Sequence, residues 1–140
     1  MIGPGEQQQA WRERHFRELV ASGVHDAESL RLLRHDVSKA VTAAWVAEQG
    51  SRLLVVPLGG GQAFPAFQFD ERGELRTEVS GHVKALREAD LGPWQTWSWL
   101  VSPSGSLSGG VPAEMAASHP VRAAKAVQRM VDQLLGPWAY

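Results

Sequence analysis

Histidine is the residue type in this sequence best suited to metal binding and to proton transfer near neutral pH. The chain contains five, His15, His25, His35, His82 and His119. No pair has the His-x-x-x-His spacing that places two imidazoles on one helix face, and none forms a known metal-ligand spacing with a carboxylate. We therefore expect ordinary surface or half-buried histidines and no metal site.

Glycines and serines offer two further motifs, but neither has the context that its chemistry needs. Gly59-Gly60-Gly61 is followed by a Phe-rich segment instead of the helix that a phosphate loop requires, so a hairpin turn is expected. The serines between residues 98 and 108 form no Gly-x-Ser-x-Gly elbow. Cysteine is absent, which excludes thiolate nucleophiles and disulfides. The sequence predicts a binding protein without a cofactor; an enzyme would need titratable groups gathered in a pocket by the fold.

Composition favours a folded chain in a reducing compartment. Hydrophobic residues make up 44% of the 140 residues, which is enough to build a core. No apolar run approaches the ~20 residues of a membrane helix, and residues 1–9 lack the order of a signal peptide. The formal net charge is −1, so no strongly basic surface is implied. We expect a cytoplasmic protein that does not contact membranes.

Helical periodicity dominates the N-terminal half. A first helix is expected from about Ala10 to Gly23, and Asp26 is expected to cap a second. Asp36 is expected to cap a third helix that ends at Gly50. The spacing of its apolar residues predicts a buried stripe of Val37, Ala40, Val41, Ala44 and Trp45.

Residues 53–69 change to short apolar runs around the three glycines, which predicts a β-hairpin. Pro57 and Pro65 lack the N–H that a ladder hydrogen bond needs, so both strands are expected at a sheet edge. Asp70 to Gly73 reads as a turn and is the best candidate for a boundary between two regions, 1–70 and 71–140.

The C-terminal half returns to helices. Pro93 and Pro120 are well placed to open two of them. The residues expected to face inward are Val79, Val83, Leu86, Trp94, Trp97, Val101, Ala124, Val127, Val131 and Leu134. The expected fold class is mainly α, with N-terminal helices that resemble a degenerate helix-turn-helix, a central β-hairpin and a small C-terminal helical bundle.

Six tryptophans are many for a chain of this length, and three of them cluster at Trp94, Trp97 and Trp99. Trp94 and Trp97 share a helix face, whereas Trp99 points about 160° away from Trp97 at ~100° per residue. Core packing and a role as an interface anchor are both compatible with this pattern.

Three segments of the C-terminal part resemble the toxin-binding domain of Xre/MbcA/ParS-type antitoxins. The first is Phe64-Pro65-Ala66-Phe67-Gln68-Phe69-Asp70, followed by Gly73-Glu74-Leu75. The second runs from Pro93 to Leu100 and carries the tryptophans. The third, Pro103 to Pro112, is similar to the family pattern Pro-Asn-x-x-Leu-x-Gly-x-x-Pro, with Ser104 in place of the Asn. The likeness covers residues 64–135.

This resemblance implies an antitoxin that binds and neutralises a protein toxin by covering its active site, and a RES-domain toxin that consumes NAD is a common partner in the family. The expected toxin-binding residues are Trp99, Pro103, Ser104, Leu107, Gly109, Gly110, Pro112, Trp138 and Tyr140.

The family also often carries an N-terminal helix-turn-helix that binds the promoter of its own operon. Here the candidates for DNA contacts are Arg34, Lys39 and Arg52, because phosphates are bound by basic groups. A transcriptional regulator without a toxin partner is the alternative function. A homodimer, or a hetero-oligomer with the toxin, is the expected assembly.

Overall fold

The structure is a computed structural model that describes residues 3, 5–6 and 17–136. In this part of the chain it confirms a mainly helical protein with a small antiparallel sheet. Seven helices are described, namely α1 (17–21), α2 (Ala27–Arg34), α3 (Lys39–Gln49), α4 (Thr77–Glu88), α5 (Pro93–Val101), α6 (Pro112–Ser118) and α7 (Pro120–Leu135). Three short strands are β1 (Val24–His25), β2 (Val56–Leu58) and β3 (Gly61–Pro65).

The start of α2 follows the local sequence closely. Asp26 accepts a hydrogen bond from the Ser29 N–H at 2.8 Å, and the Ser29 hydroxyl accepts one from the Asp26 N–H at 3.0 Å. This reciprocal capping box satisfies two donors at the helix start, so the predicted Asp26 cap is confirmed. Leu30 faces inward from α2 and is fully buried.

The hairpin at residues 56–65 is also confirmed. β2 and β3 pair antiparallel, and Gly59 and Gly60 form the turn with φ values of +58° and +79°. Two successive positive φ values match the twist of the flanking strands and favour glycine.

The sheet contains a third strand that the sequence does not predict. β1 pairs with β3, so the strand order is β1-β3-β2 and β3 is central. The expectation that Pro65 lies in an edge strand is therefore wrong. Pro65 is the last residue of the central strand, where the ladder ends, and Pro57 lies in the edge strand β2 as expected.

The third helix starts later and is rotated compared with the predicted one. Ser38, not Asp36, is its N-cap and accepts a hydrogen bond from the Val41 N–H at 3.3 Å. The expected buried stripe is also wrong: Val37, Ala40, Val41 and Ala44 are exposed, and the buried residue of α3 is Thr42. Trp45 is half-buried and packs on the sheet side.

Helices α4 to α7 form the C-terminal bundle. Val79, Val83 and Leu86 of α4 are fully buried, as are Trp97 and Leu100 of α5. The start of α5 at Pro93 and that of α7 at Pro120 are confirmed.

α7 turns a different face inward from the predicted one. Val127 is buried and Val131 is half-buried against the core, as expected. Ala124 and Leu134, however, are exposed, and Ala123 and Ala126 occupy the core instead. Their small side chains allow α7 to lie close to α6 and α4.

The larger hydrophobic core draws on both sides of the 70–73 turn. Leu19, Leu54 and Val56 belong to the same buried cluster as the residues of α4 and α5. The indole Nε1 of Trp97 also donates to the Ser22 hydroxyl at 3.3 Å, across 75 positions of sequence. The division at residues 70–71 stays a prediction, and in the described residues the core crosses it. No helix in the described ranges is long and apolar enough to cross a membrane.

Gln68 connects two non-adjacent backbone segments inside this core. Its side chain is fully buried, and its amide oxygen accepts from the Leu54 N–H at 2.8 Å. Its amide nitrogen donates to the Leu54 carbonyl at 2.9 Å. The side-chain amide thus makes the two hydrogen bonds that a paired residue in a neighbouring β-strand would make. Both backbone groups of Leu54 are therefore satisfied although they are buried away from water.

Replacing Gln68 tests this connection. Gln68→Ala leaves the N–H and the carbonyl of Leu54 buried without their partners, so we expect the free energy of unfolding to fall by about 3 kcal/mol. Gln62→Ala, at an exposed position of β3, is the matched control and should change it by less than about 0.5 kcal/mol. Denaturant unfolding followed by circular dichroism measures both; equal values for the two variants would contradict the assignment.

Candidate functional site

The first candidate surface lies at the start of α3. The end of the α2–α3 turn and the outer side of α3 leave several side chains exposed, and we call five of them the α3 surface. Its members are Val37, Lys39, Ala40, Val41 and Ala44. Four are apolar and Lys39 is the single charged member.

Lys39 occupies the first position of α3, against the usual electrostatic preference of a helix. The helix dipole is positive at this end, so acidic side chains are favoured there and cations are not. α2 follows the preference, with Glu28 in its first turn and Arg31 and Arg34 in its last. The first turn of α3 has no acidic residue. The start of α3 therefore combines the positive end of the helix with Lys39, and the carboxylates of Asp36 and Glu28 lie nearby.

Arg34, the second predicted DNA contact, is directed into the protein. Its guanidinium donates to Asp36 Oδ2 at 3.0 Å, to the Gly73 carbonyl at 2.8 Å and to Glu74 Oε1 at 3.1 Å. It also lies 3.7 Å from the centre of the Trp45 ring. Only 10% of the side chain is exposed. This geometry makes Arg34 a residue that fixes the α2–α3 turn.

Gly73 makes the Arg34 contact possible. It has φ +77°, and a Cβ at this position would lie 2.3 Å from Arg34 Cγ and 3.2 Å from its Cα. Both the backbone conformation and the close approach require glycine here.

Asp36 completes the same network from the other side. It accepts from the Thr42 hydroxyl at 2.8 Å as well as from Arg34. The Thr42 hydrogen bond, supported by the Arg34 charge, holds the pKa of Asp36 below its usual value. Thr42 is buried in α3, and its hydroxyl avoids the free-energy cost of burial without a hydrogen bond because Asp36 accepts from it.

Arg52, the third predicted DNA contact, is exposed at the opposite end of α3. It lies in a short 3₁₀ turn over Gly50–Arg52, and its Nε donates to the Gln49 carbonyl at 3.4 Å. The eleven residues of α3 span roughly 16 Å. The structure therefore does not gather Arg34, Lys39 and Arg52 into one basic cluster.

The second candidate surface involves the Pro103–Pro112 loop. Several of its predicted contact residues shape the loop from inside. Ser104 and Gly110 pair in a β-bridge, and Leu107 is 3% exposed. A Cβ at Gly110 would lie 2.1 Å from the Met115 sulfur, and Pro112 is buried at the start of α6. These residues define the course of the loop and leave little side-chain surface to a partner.

Other parts of the loop do face outward. Pro103 is exposed, as is Gly109, whose φ of +88° favours glycine at this turn. Pro103 and the half-buried Trp99 line an open groove of about 290 Å³, which we call the Trp99 groove. Its remaining lining residues are Leu91, Gln95, Ser98, Ser102 and Met130.

The sequence identified Trp99 and Pro103 but missed the rest of this groove. Gln95, Ser98 and Trp99 recur at helical spacing along α5, which is the signal that was available. Met130 comes from α7, and no local sequence pattern predicts that it lines the same groove as Trp99. Trp138 and Tyr140, also predicted to bind a partner, lie outside the described residues.

The histidines do not assemble a metal site in the part of the chain that the structure describes, where no group of three potential ligands is close enough to hold an ion. His82 is half-buried in α4, and burial lowers its pKa. A neutral imidazole is therefore expected at pH 7.

A pH titration of stability tests the Asp36 network. Because the folded-state pKa of Asp36 is lowered, its ionised form stabilises the protein above about pH 3.8 and loses this effect as the pH falls through the folded-state pKa. Asp36→Asn should therefore be less stable than the wild type at pH 7, and the difference should shrink below pH 3.8. Glu71→Gln, at an exposed turn, is the control. A difference that is independent of pH would contradict the charge-based account.

No protein-family model matches the sequence, and no curated protein matches it. Among solved structures, the chain is similar to the NMR structure of Rv2175c, with 20% sequence identity and a TM-score of 0.60. The match covers 81% of this chain and 82% of that chain. At this level of identity the similarity shows that the two proteins share a fold.

Proposed function

We propose that this protein binds duplex DNA through the α3 surface and the β2–β3 hairpin. The observation that carries the proposal is the order of the elements: a helix, β1, α2, α3 and a hairpin, with β3 between β1 and β2. This is the arrangement of a winged helix-turn-helix, in which the second helix of the pair enters the major groove with its N-terminal residues towards the bases. The likeness to a winged helix-turn-helix is one of fold.

Local electrostatics supports the same orientation. The start of α3 combines the positive end of the helix with Lys39 and with no acidic residue in the first turn. Oriented N–H groups at a helix N-terminus bind phosphate well. The hairpin ends in Gly59-Gly60, which has no side chains to hinder an approach to the DNA backbone. Since the basic groups are few, affinity should depend only moderately on salt.

A salt titration tests DNA binding directly. With two or three phosphate contacts, log K should fall against log[salt] with a slope of roughly −2 to −3. The full chain and a fluorescent duplex from the region upstream of its own gene are used for the measurement. Lys39→Gln should weaken binding and reduce the slope by about 1. Lys125→Gln, at an exposed position of α7, is the matched control. Absence of binding at ~50 mM salt, or an equal effect of both substitutions, would refute the proposal.

A second function, neutralisation of a protein toxin, is supported by the Trp99 groove. Trp residues are frequent anchors of protein interfaces, and here a partly exposed Trp lies beside Pro103 in an open, mainly apolar groove. The groove is bounded by the same α5 segment and loop that resemble the toxin-binding domain of Xre/MbcA/ParS-type antitoxins. A toxin seated there, of the RES-domain class or another, would be held by a loop whose backbone is already fixed, which lowers the entropic cost of binding.

Charged substitutions at the rim test this second function without disturbing the core. Gln95→Arg combined with Pro103→Arg places two bulky cations at exposed positions of the groove. We expect at least a 10-fold loss of affinity for the protein encoded by the neighbouring gene, measured with purified proteins, and loss of growth protection on co-expression. Gln128→Arg, exposed on α7, should retain both. Unchanged affinity in the double variant would rule out the groove as the docking site.

A further inference from the structure

We propose that the α3 surface recognises thymine through its 5-methyl group, by apolar contact in the major groove. The inference rests on the proposed DNA binding and concerns how that surface would select sequence. It starts from two exposed valines. Val37 is 90% exposed and Val41 43% exposed, at the end of the α2–α3 turn and in the first turn of α3. These are the positions that a recognition helix brings closest to the bases.

Neither valine serves the fold in the way its residue type suggests. Val37 precedes the N-cap Ser38, so it lies outside the helix and next to the Asp36 network. An exposed Val side chain forgoes part of the free energy that its burial would contribute. Two such residues at the tip of a recognition helix would recover this free energy on contact with an apolar group.

The α3 face that flanks the valines has few groups able to hydrogen-bond to base edges. Its exposed positions are alanines with Lys39 and Glu48, in the set Lys39, Ala40, Ala43, Ala44, Ala47 and Glu48. The polar residues at the start of the helix are engaged elsewhere. The Ser38 hydroxyl caps the helix, and the Thr42 hydroxyl donates to Asp36. Readout by Asn, Gln or Arg, which bind base edges in a bidentate manner, has no residue to perform it on this face.

The major groove offers one apolar group for such a surface. Thymine presents its 5-methyl group there, whereas the other edges present hydrogen-bond donors and acceptors. The small alanines allow α3 to approach the groove floor, and the valines supply the contact area. Lys39 then contributes a phosphate contact that carries no sequence information. The chemistry therefore points to duplexes with thymines at neighbouring positions of the contacted site.

Removing the methyl groups from the DNA is the direct test. A duplex selected by the full chain from a random-sequence pool is made twice, once with thymidine and once with deoxyuridine in its place. Burial of one methyl group corresponds to about a 4-fold change in affinity, so two contacts predict roughly 10- to 15-fold weaker binding of the uracil duplex. Anisotropy titrations of both duplexes measure the ratio.

Substitutions of the valines complete a double-mutant cycle. In Val37→Ser combined with Val41→Ser, the ratio between the two duplexes should fall close to 1, with affinity for the uracil duplex almost unchanged. Leu32→Ser, at an exposed position of α2, is the control and should keep the full ratio.

Three results would overturn the inference, and they are distinguishable. Equal binding of both duplexes by the wild type refutes methyl recognition and leaves DNA binding standing. An equal loss for both duplexes in the valine variant means that the valines act through the fold or through self-association, which sedimentation identifies. No enrichment from the random pool refutes the proposed DNA binding itself, and methyl recognition with it.

Discussion

Arg34 holds the turn between α2 and α3, and the presentation of the α3 surface depends on it. The guanidinium is bonded to Asp36, to the 73–74 turn and to the face of Trp45. Asp36 in turn accepts a hydrogen bond from the Thr42 hydroxyl. Arg34 therefore fixes, through Asp36, how α3 is oriented relative to α2. Because charged partners in a partly shielded site bond more strongly than neutral ones, this network can set an angle that the short turn alone would leave free.

The same contacts join the two halves of the chain. Gly73 and Glu74, which bond to Arg34, lie in the segment that leads into α4, the helix that carries much of the larger core. Arg76 extends the connection, because its guanidinium donates to the Phe67 carbonyl at 2.8 Å and to the Ala113 carbonyl at 3.2 Å. The α3 surface and the Trp99 groove therefore belong to one packed body.

Local signals in the sequence were sufficient for much of the fold. The Asp26 capping box, the glycine turn of the hairpin and the prolines that open α5 and α7 each depend on neighbours within a few positions. The predicted start of α3 failed because Asp36 and Ser38 are both good caps. The choice of cap does not change which residues share a helix face. Tertiary packing buries Thr42 and partly buries Trp45 and Val46, so most of the expected stripe faces outward.

The remaining features depend on contacts that sequence spacing does not encode. β1 has two residues, and its pairing with β3 spans about 40 positions. From the sequence alone Arg34 is expected to be a surface cation, because its partners Gly73 and Glu74 are distant along the chain. In the 103–112 loop the Pro and Gly pattern correctly indicated a defined backbone, but Met115 and the packing of Leu107 decide which residues face inward. The Trp99 groove likewise needs Met130 from α7.

The proposed DNA-binding surface consists of the start of α3 and the β2–β3 hairpin. Amide chemical-shift mapping of the full chain, titrated with the duplex selected from a random pool, tests it most directly. We expect the largest changes at residues 37–44 and 58–61, with the Trp99 groove unaffected. Changes concentrated on α7 or around Trp99, with residues 37–44 unchanged, would contradict it.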